Sequence, residues 1–198
     1  MPMARGNGAS GDRRVLKTRT ALRLALLSLM TEKGWDDVSV QDICDRANIG
    51  RSTFYIHFQS KEQLLEAGLS DLSLALRQGL WTSSGHSAST ALPFVRGLIE
   101  HVAEQRRLLR AMTGSRSGHV VRMRFREMVF QLMADDLANL VPAGWQRDGA
   151  IYFLTGALLE VLTWMGEAKQ AIDASTAEQF FLRLAKTVLS ELTGATKP

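Results

Sequence analysis

The sequence predicts an all-α fold of about nine helices. Three observations carry that expectation. Apolar residues recur at the 3.6-residue helical period in almost every segment, no run alternates as a half-buried strand would, and hydroxyl residues, glycine and proline fall where helices begin and end. No internal repeat interrupts the pattern.

The elements follow in order. The start, "MPMARGNGASGDRR", is polar and glycine-rich, so residues 1–13 read as a flexible arm without a secretory leader. In "VLKTRTALRLALLSLMTEKGW", Leu22, Ala25, Leu26, Leu29 and Met30 occupy one helix face. Gly34 then stands where a helix C-terminal glycine belongs. Ser39 with Asp42 forms a variant capping box that opens a short helix with Val40, Ile43, Cys44 and Ala47 on one face. Asn48 supplies the left-handed turn residue before a third helix, "RSTFYIHF". Ser60 with Gln63 opens a fourth, along which Leu64, Leu65, Leu69, Leu72, Leu76 and Leu80 run.

"TSSGHSAST" is the best hinge, and a fifth helix starts near Pro93, running into a sixth that ends at about Met112. A long helix spans His119 to about Leu140, with Val121, Phe125, Met128 and Leu132 on one face, and Pro142 and Gly144 break it. Two helices close the chain, 145–168 and 175–193. The first is apolar over so much of its girth that it needs two neighbours. The division expected is 1–13 arm, 14–60 first domain, and 61–198 second domain.

Composition narrows the function. The 198 residues are 45% hydrophobic and 22% charged, enough for a sizeable core, and 24 Lys+Arg against 20 Asp+Glu permits a polyanionic partner without demanding one. A single cysteine excludes an internal disulfide and suits a reducing cytoplasm. The longest uncharged apolar run, "GAIYFLTGALL", has 11 residues, too few to cross a bilayer, so a soluble, cytoplasmic protein with no membrane role is expected.

Residues 39–58 read as helix, tight turn, helix. Phe54 and Phe58 lie four apart and anchor the third helix on Val40, Ile43 and Cys44, which turns a row of donors outward. The second helix of such a unit can enter the major groove. Arg51, Ser52 and Thr53 would then face the bases, with Arg51 suited to guanine O6 and N7, while Tyr55 and His57 sit at phosphate height. Lys61 and the amides opening the fourth helix can take a further phosphate.

The run "KGWDDVSVQDICDRANIGRSTFYIHFQSKEQLL" closely resembles the DNA-binding domain of the TetR family of bacterial transcriptional regulators. The resemblance rests on Gly34, Ser39, Ala47–Asn48, Thr53–Phe54–Tyr55, His57–Phe58 and Ser60–Lys61–Glu62, and covers roughly residues 17 to 66. Asn48 replaces the usual glycine, and Gly50 replaces a frequent capping serine. The resemblance implies that Lys17, Thr18 and Arg19 approach the DNA backbone and that Ser39 joins the DNA-facing set. It further implies an effector-binding domain whose last two helices build a four-helix interface with a second subunit. For that interface the sequence offers Leu154, Leu158, Leu162, Phe181, Leu184 and Val188, with Gly156 and Ala157 permitting close approach. For a pocket it offers Trp81, Phe94, Met112, Phe125, Met128, Tyr152 and Trp164, although core packing is the default at any one of them.

The implied function is a homodimeric repressor that binds a pseudo-palindromic DNA operator and is released by a small apolar or aromatic effector. The alternative is the same scaffold acting as an activator or as an effector-independent DNA-binding factor. No metal or cofactor is expected, since His57, His86, His101 and His119 are scattered away from other ligands. No nucleophile elbow, P-loop, HExxH or carboxylate cluster points to an enzyme. Cys44 reads as inert packing, and the alternating Arg122, Arg124 and Arg126 as a solvated flank.

Overall fold

The computed structural model describes the backbone of residues 8–80, 91–114, 118–168 and 172–194, with their side chains except at 8–11 and 111–114. Among the described residues every regular element is a helix: α1 (Gly8–Lys33), α2 (Val40–Ala47), α3 (Arg51–His57), α4 (Lys61–Arg77), α5 (Phe94–Glu104), α6 (Arg106–Gly114), α7 (His119–Ala138), α8 (Trp145–Glu167) and α9 (Ala174–Thr193). The chain divides into two compact units, Met1–Gly68 and Leu69–Pro198.

Two boundaries differ from those the sequence suggests. The helix expected from about residue 14 reaches back to Gly8, although Asp12 to Lys17 bury nothing. Once a helix is nucleated by its packed turns, adding residues at its end is cheap, even past poor formers such as glycine. The division between units falls within α4 rather than at 60/61, because Leu64 and Leu65 are buried near its start while Leu69 and Leu72 pack on the core of the second unit.

The first unit is a three-helix arrangement extended by the start of α4. Leu22, Ala25, Leu26, Leu29 and Met30 are all buried, as their spacing predicts, together with Trp35, Val38, Ile43 and Cys44. Burial pushes the Cys44 thiol above its ordinary range, which suits an inert packing residue. Gly34 ends α1 in the left-handed region at φ 81°, its amide donating to the Met30 carbonyl at 3.1 Å.

The second unit is built around α8, which contacts α5, α6, α7 and α9. Ile151, Leu154, Leu158, Leu162 and Met165 form its inner face, meeting Val95, Leu98 and Ile99 of α5 and Phe181, Ala185 and Leu189 of α9 in one core. The C-terminal carbonyls of α8 are closed by α6: Arg106 donates to the Met165 carbonyl at 2.6 Å and Arg110 to that of Gly166 at 2.8 Å. Cations suit a helix C-terminus. A Cβ at Gly166 would come within 2.6 Å of a Leu109 methyl, so a glycine lets the two helices approach.

This packing corrects several assignments made from the sequence. Leu154, Leu158, Leu162 and Phe181 are at most 2% exposed, so they serve the chain's own core and cannot touch a second subunit. Val188 packs partly against the same core, whereas Leu184 is exposed. Tyr152 and Trp164, placed in a pocket by the sequence, stand on the outer side of α8. Phe94 and Met128 are buried and Phe125 is partly so, while Trp81 and the Met112 side chain lie outside the described residues. By length and composition alone α8 could cross a membrane, beyond the 11-residue run counted from the sequence. Helix α8 runs on past Glu160, and much of it is buried within the chain.

α7 ends on Asp135 and Asp136 with no basic residue in its last turn, an unfavourable place for negative charge. Arg77 pairs with Asp135. One oxygen of Asp136 is buried without a hydrogen-bond partner among the described residues, and burial, with the neighbouring Asp135 charge adding and Arg77 opposing, pushes its carboxyl up to about 6. An acid whose pKa rises on folding stabilises fully below its unfolded value and loses that contribution as pH rises through its folded one. Asp136→Asn is therefore expected to raise the melting temperature at pH 8 and to leave it nearly unchanged at pH 3, below the unfolded value, as differential scanning calorimetry would record.

Candidate nucleic-acid interface

Ser39 fixes where α2 begins. Its hydroxyl accepts from the Asp42 amide at 3.2 Å, and its own amide donates to the Asp42 carboxylate at 2.8 Å, which completes a capping box. The Ser39 hydroxyl holds the Asp42 carboxyl well below the usual carboxylate range, with Lys33 at 2.9 Å adding to the effect. Arg46 braces α2 on α1 with two parallel bonds to Glu32, at 2.6 and 2.7 Å, and a third to the Ser28 hydroxyl at 2.7 Å. That pairing lowers the Glu32 pKa to about 2. Both carboxylates have depressed pKa values, so their contribution is present above about pH 4.5 and is lost as pH falls toward 2.

The turn follows from Asn48, the one described non-glycine residue at positive φ, with φ 54° and ψ 47°. Its short polar side chain tolerates the left-handed region, and the following Ile49 amide closes back on the Cys44 carbonyl at 2.9 Å. Gly50 caps α3 in extended conformation without a side-chain bond.

α3 is seated by two phenylalanines. Phe54 is 0% and Phe58 3% exposed, with ring centroids 6.0 Å apart. Arg19 of α1 places its guanidinium 5.2 Å over the Phe58 ring, so this exposed cation is held beside α3. Tyr55 rests edge-on against Phe54 at 5.4 Å and remains half exposed. Arg51 and Ser52 are exposed, Thr53 and His57 are half-buried on the flank, and Lys17 and Thr18 lie on α1 as exposed and half-buried residues. The structure thus gathers Arg51, Ser52 and Tyr55 on one outward surface. Ile56, 77% exposed on that surface, carries no signal in a search for polar donors, which is why the sequence passes over it.

Lys61 has a different setting from the one the sequence suggests. Its ammonium donates to the carbonyls of Trp35 at 2.9 Å and Val38 at 2.7 Å, and lies 4.7 Å from the Trp35 ring centroid. Two of its three protons tie the α1–α2 connection to the start of α4, leaving one for a phosphate.

Residues 23–67 match the family model described as bacterial regulatory proteins, tetR family. Over those residues the chain is similar to the TetR family. Its amino-terminal region is 45% identical over 56 residues to YxbF, an uncharacterized HTH-type transcriptional regulator of Bacillus subtilis (strain 168). That match covers 28% of this chain and spans 15% of the relative's length. The fold is similar to that of a TetR transcriptional regulator from Streptococcus agalactiae 2603V, at 24% identity and TM-score 0.63, over 90% of this chain and 99% of the other. It is also similar to NalD, the secondary repressor of the MexAB-OprM efflux pump in Pseudomonas aeruginosa, at 22% identity and TM-score 0.58, over 89% and 97%. At these identities the structural likeness shows the fold alone.

The Lys61 setting makes a prediction. Lys61→Ala removes two charge-assisted bonds and the contact with Trp35, and is expected to destabilise the first unit by about 2 kcal/mol in urea unfolding. A lysine serving only a phosphate would leave the unfolding midpoint of the free protein unmoved.

Proposed function

We propose that this chain is a homodimeric, sequence-specific DNA-binding repressor, cytoplasmic, and released from a pseudo-palindromic operator by a small apolar or aromatic effector. The observation that carries the reading is the outward surface of α3. Phe54 and Phe58 take the inward side, which leaves Arg51, Ser52 and Tyr55 exposed on a helix short enough to lie in a major groove. Arg51 suits guanine, and Tyr55 and Lys17 suit phosphates that set register.

Dimerisation is supported by what α8 and α9 leave uncovered. Tyr152, Phe153 and Trp164 are each more than half exposed, and Trp164 meets Phe180 of α9 at 6.5 Å, joining the two helices into one apolar face with Leu184. Gly156 lies on that side with nothing within 4 Å of the position a Cβ would take. A glycine in a helix interior costs about 1 kcal/mol relative to alanine, and close approach by a second copy would offset it. Two copies would set their recognition helices roughly 34–36 Å apart, one turn of DNA.

Effector response draws on the second unit. The Thr155 hydroxyl is fully buried without a hydrogen-bond partner among the described residues, on a helix whose other buried residues are mostly apolar. An apolar molecule with one acceptor suits that chemistry. Release then requires reciprocity: the effector weakens operator binding by the factor by which operator weakens effector binding.

The test is fluorescence anisotropy with the DNA upstream of the chain's own gene, at two salt concentrations, for wild type, Arg51→Ala, Tyr55→Ala and Gly156→Leu. Wild type is expected to bind one fragment far more tightly than random duplex. Tyr55→Ala should weaken all sequences alike, and Arg51→Ala should lose about 1–3 kcal/mol of discrimination. Gly156→Leu should sediment as a monomer and lose the palindrome preference. Equal, salt-sensitive binding of wild type to every fragment in a random pool would overturn the reading.

A further inference from the structure

We propose that Ile56 reads a thymine in each half-site by packing against its 5-methyl group in the major groove. The inference rests on the DNA-reading role of α3 and names a specificity residue that a search for polar donors does not find. At about 100° per residue, Ile56 points about 180° from the midpoint of Phe54 and Phe58. Since those two are buried at 0% and 3%, the centre of the outward surface is Ile56, with Ser52 one turn before it. Tyr55 and His57 flank this centre on either side, one half exposed and the other half-buried.

A lone exposed apolar side chain is ordinary on a protein surface and by itself needs no explanation. Its place here is what matters. Ile56 is 77% exposed, and no other outward-facing residue of α3 is aliphatic. Isoleucine is also a weaker helix former than the long polar residues that commonly fill solvent positions, because its branched Cβ restricts χ1. In a groove the same side chain becomes selective. Three of the four bases present only donors and acceptors there, and an aliphatic group pressed against them would strip water from polar atoms without replacing its bonds. Thymine alone offers a methyl group. Ile56 therefore attracts thymine and penalises cytosine, whose amino group would lose its solvent.

Removing the 5-methyl group alone tests this. A duplex is enriched from a random-sequence pool with the full-length protein, and each thymine of one half-site is replaced in turn by uracil. Binding is measured by anisotropy at fixed salt for wild type, Ile56→Val and Ile56→Ala. One thymine is expected to be sensitive, its uracil form binding wild type about fourfold more weakly, which corresponds to about 0.8 kcal/mol for one buried carbon. The sensitivity should fall to none in Ile56→Ala and persist in part in Ile56→Val. Ile56→Ala should melt as wild type does, since an exposed side chain is removed. An enriched duplex with no methyl-sensitive thymine, or a sensitivity that survives in Ile56→Ala, overturns the inference while leaving the regulator reading standing. A pool from which nothing enriches overturns both.

Discussion

A seven-residue helix has no stability of its own, so the first unit depends on how α3 is held. Helices shorter than about 12–15 residues are marginal in water. Burying a phenylalanine side chain is worth roughly 1.5–3 kcal/mol, and α3 buries two of its seven-residue span and C-cap. The remainder of the unit serves to keep the receiving surface in place. Arg46 locks α2 to α1, the Ser39–Asp42 box sets where α2 starts, Asn48 turns the chain, and Lys61 ties the connection after α1 to α4. Those bonds orient side chains that themselves contact none of them. Which atoms face outward on α3 is decided by which ones face inward.

Helix α8 divides its large apolar residues by shape. On α8 the aliphatic residues Ile151, Leu154, Leu158 and Leu162 go inward, where they interdigitate with α5 and α9. The aromatic residues Tyr152, Phe153 and Trp164 go outward. Large rigid rings give much contact area for few frozen torsions, which is why such residues suit association between chains. The same helix thereby supplies a core for its own chain and a surface for a proposed partner.

Much of this was legible in the residues because local chemistry dictated it. The Ser39 cap, the Asn48 turn, the start at Arg51 and the inward pair Phe54 and Phe58 all follow from short-range rules that tertiary packing had no reason to override. Where two solutions satisfy the pattern equally, the sequence could not choose. α8 is apolar on both sides, and period alone does not say that the leucine side is core and the aromatic side is open. Lys61 shows a different limit: a lysine beside a helix start is drawn to any oxygen, and its acceptors, the carbonyls of Trp35 and Val38, lie 26 and 23 residues back. The division inside α4 was hidden because the leucine row runs unbroken through it.

The buried phenylalanine pair, and not DNA, orders α3. Amide hydrogen exchange on the free full-length protein tests it most directly. The amides of Phe54 and Phe58, which donate to Gly50 and Phe54 at 3.1 and 2.9 Å, are predicted to be protected as well as those of Ile43 to Ala47 in α2. In Phe54→Ala that protection should vanish from α3 while the amides of Leu26 to Met30 in α1 keep theirs. If the α3 amides of the free wild-type protein exchange at the rate of an unstructured chain, the helix forms only on DNA and the phenylalanine pair does not order it.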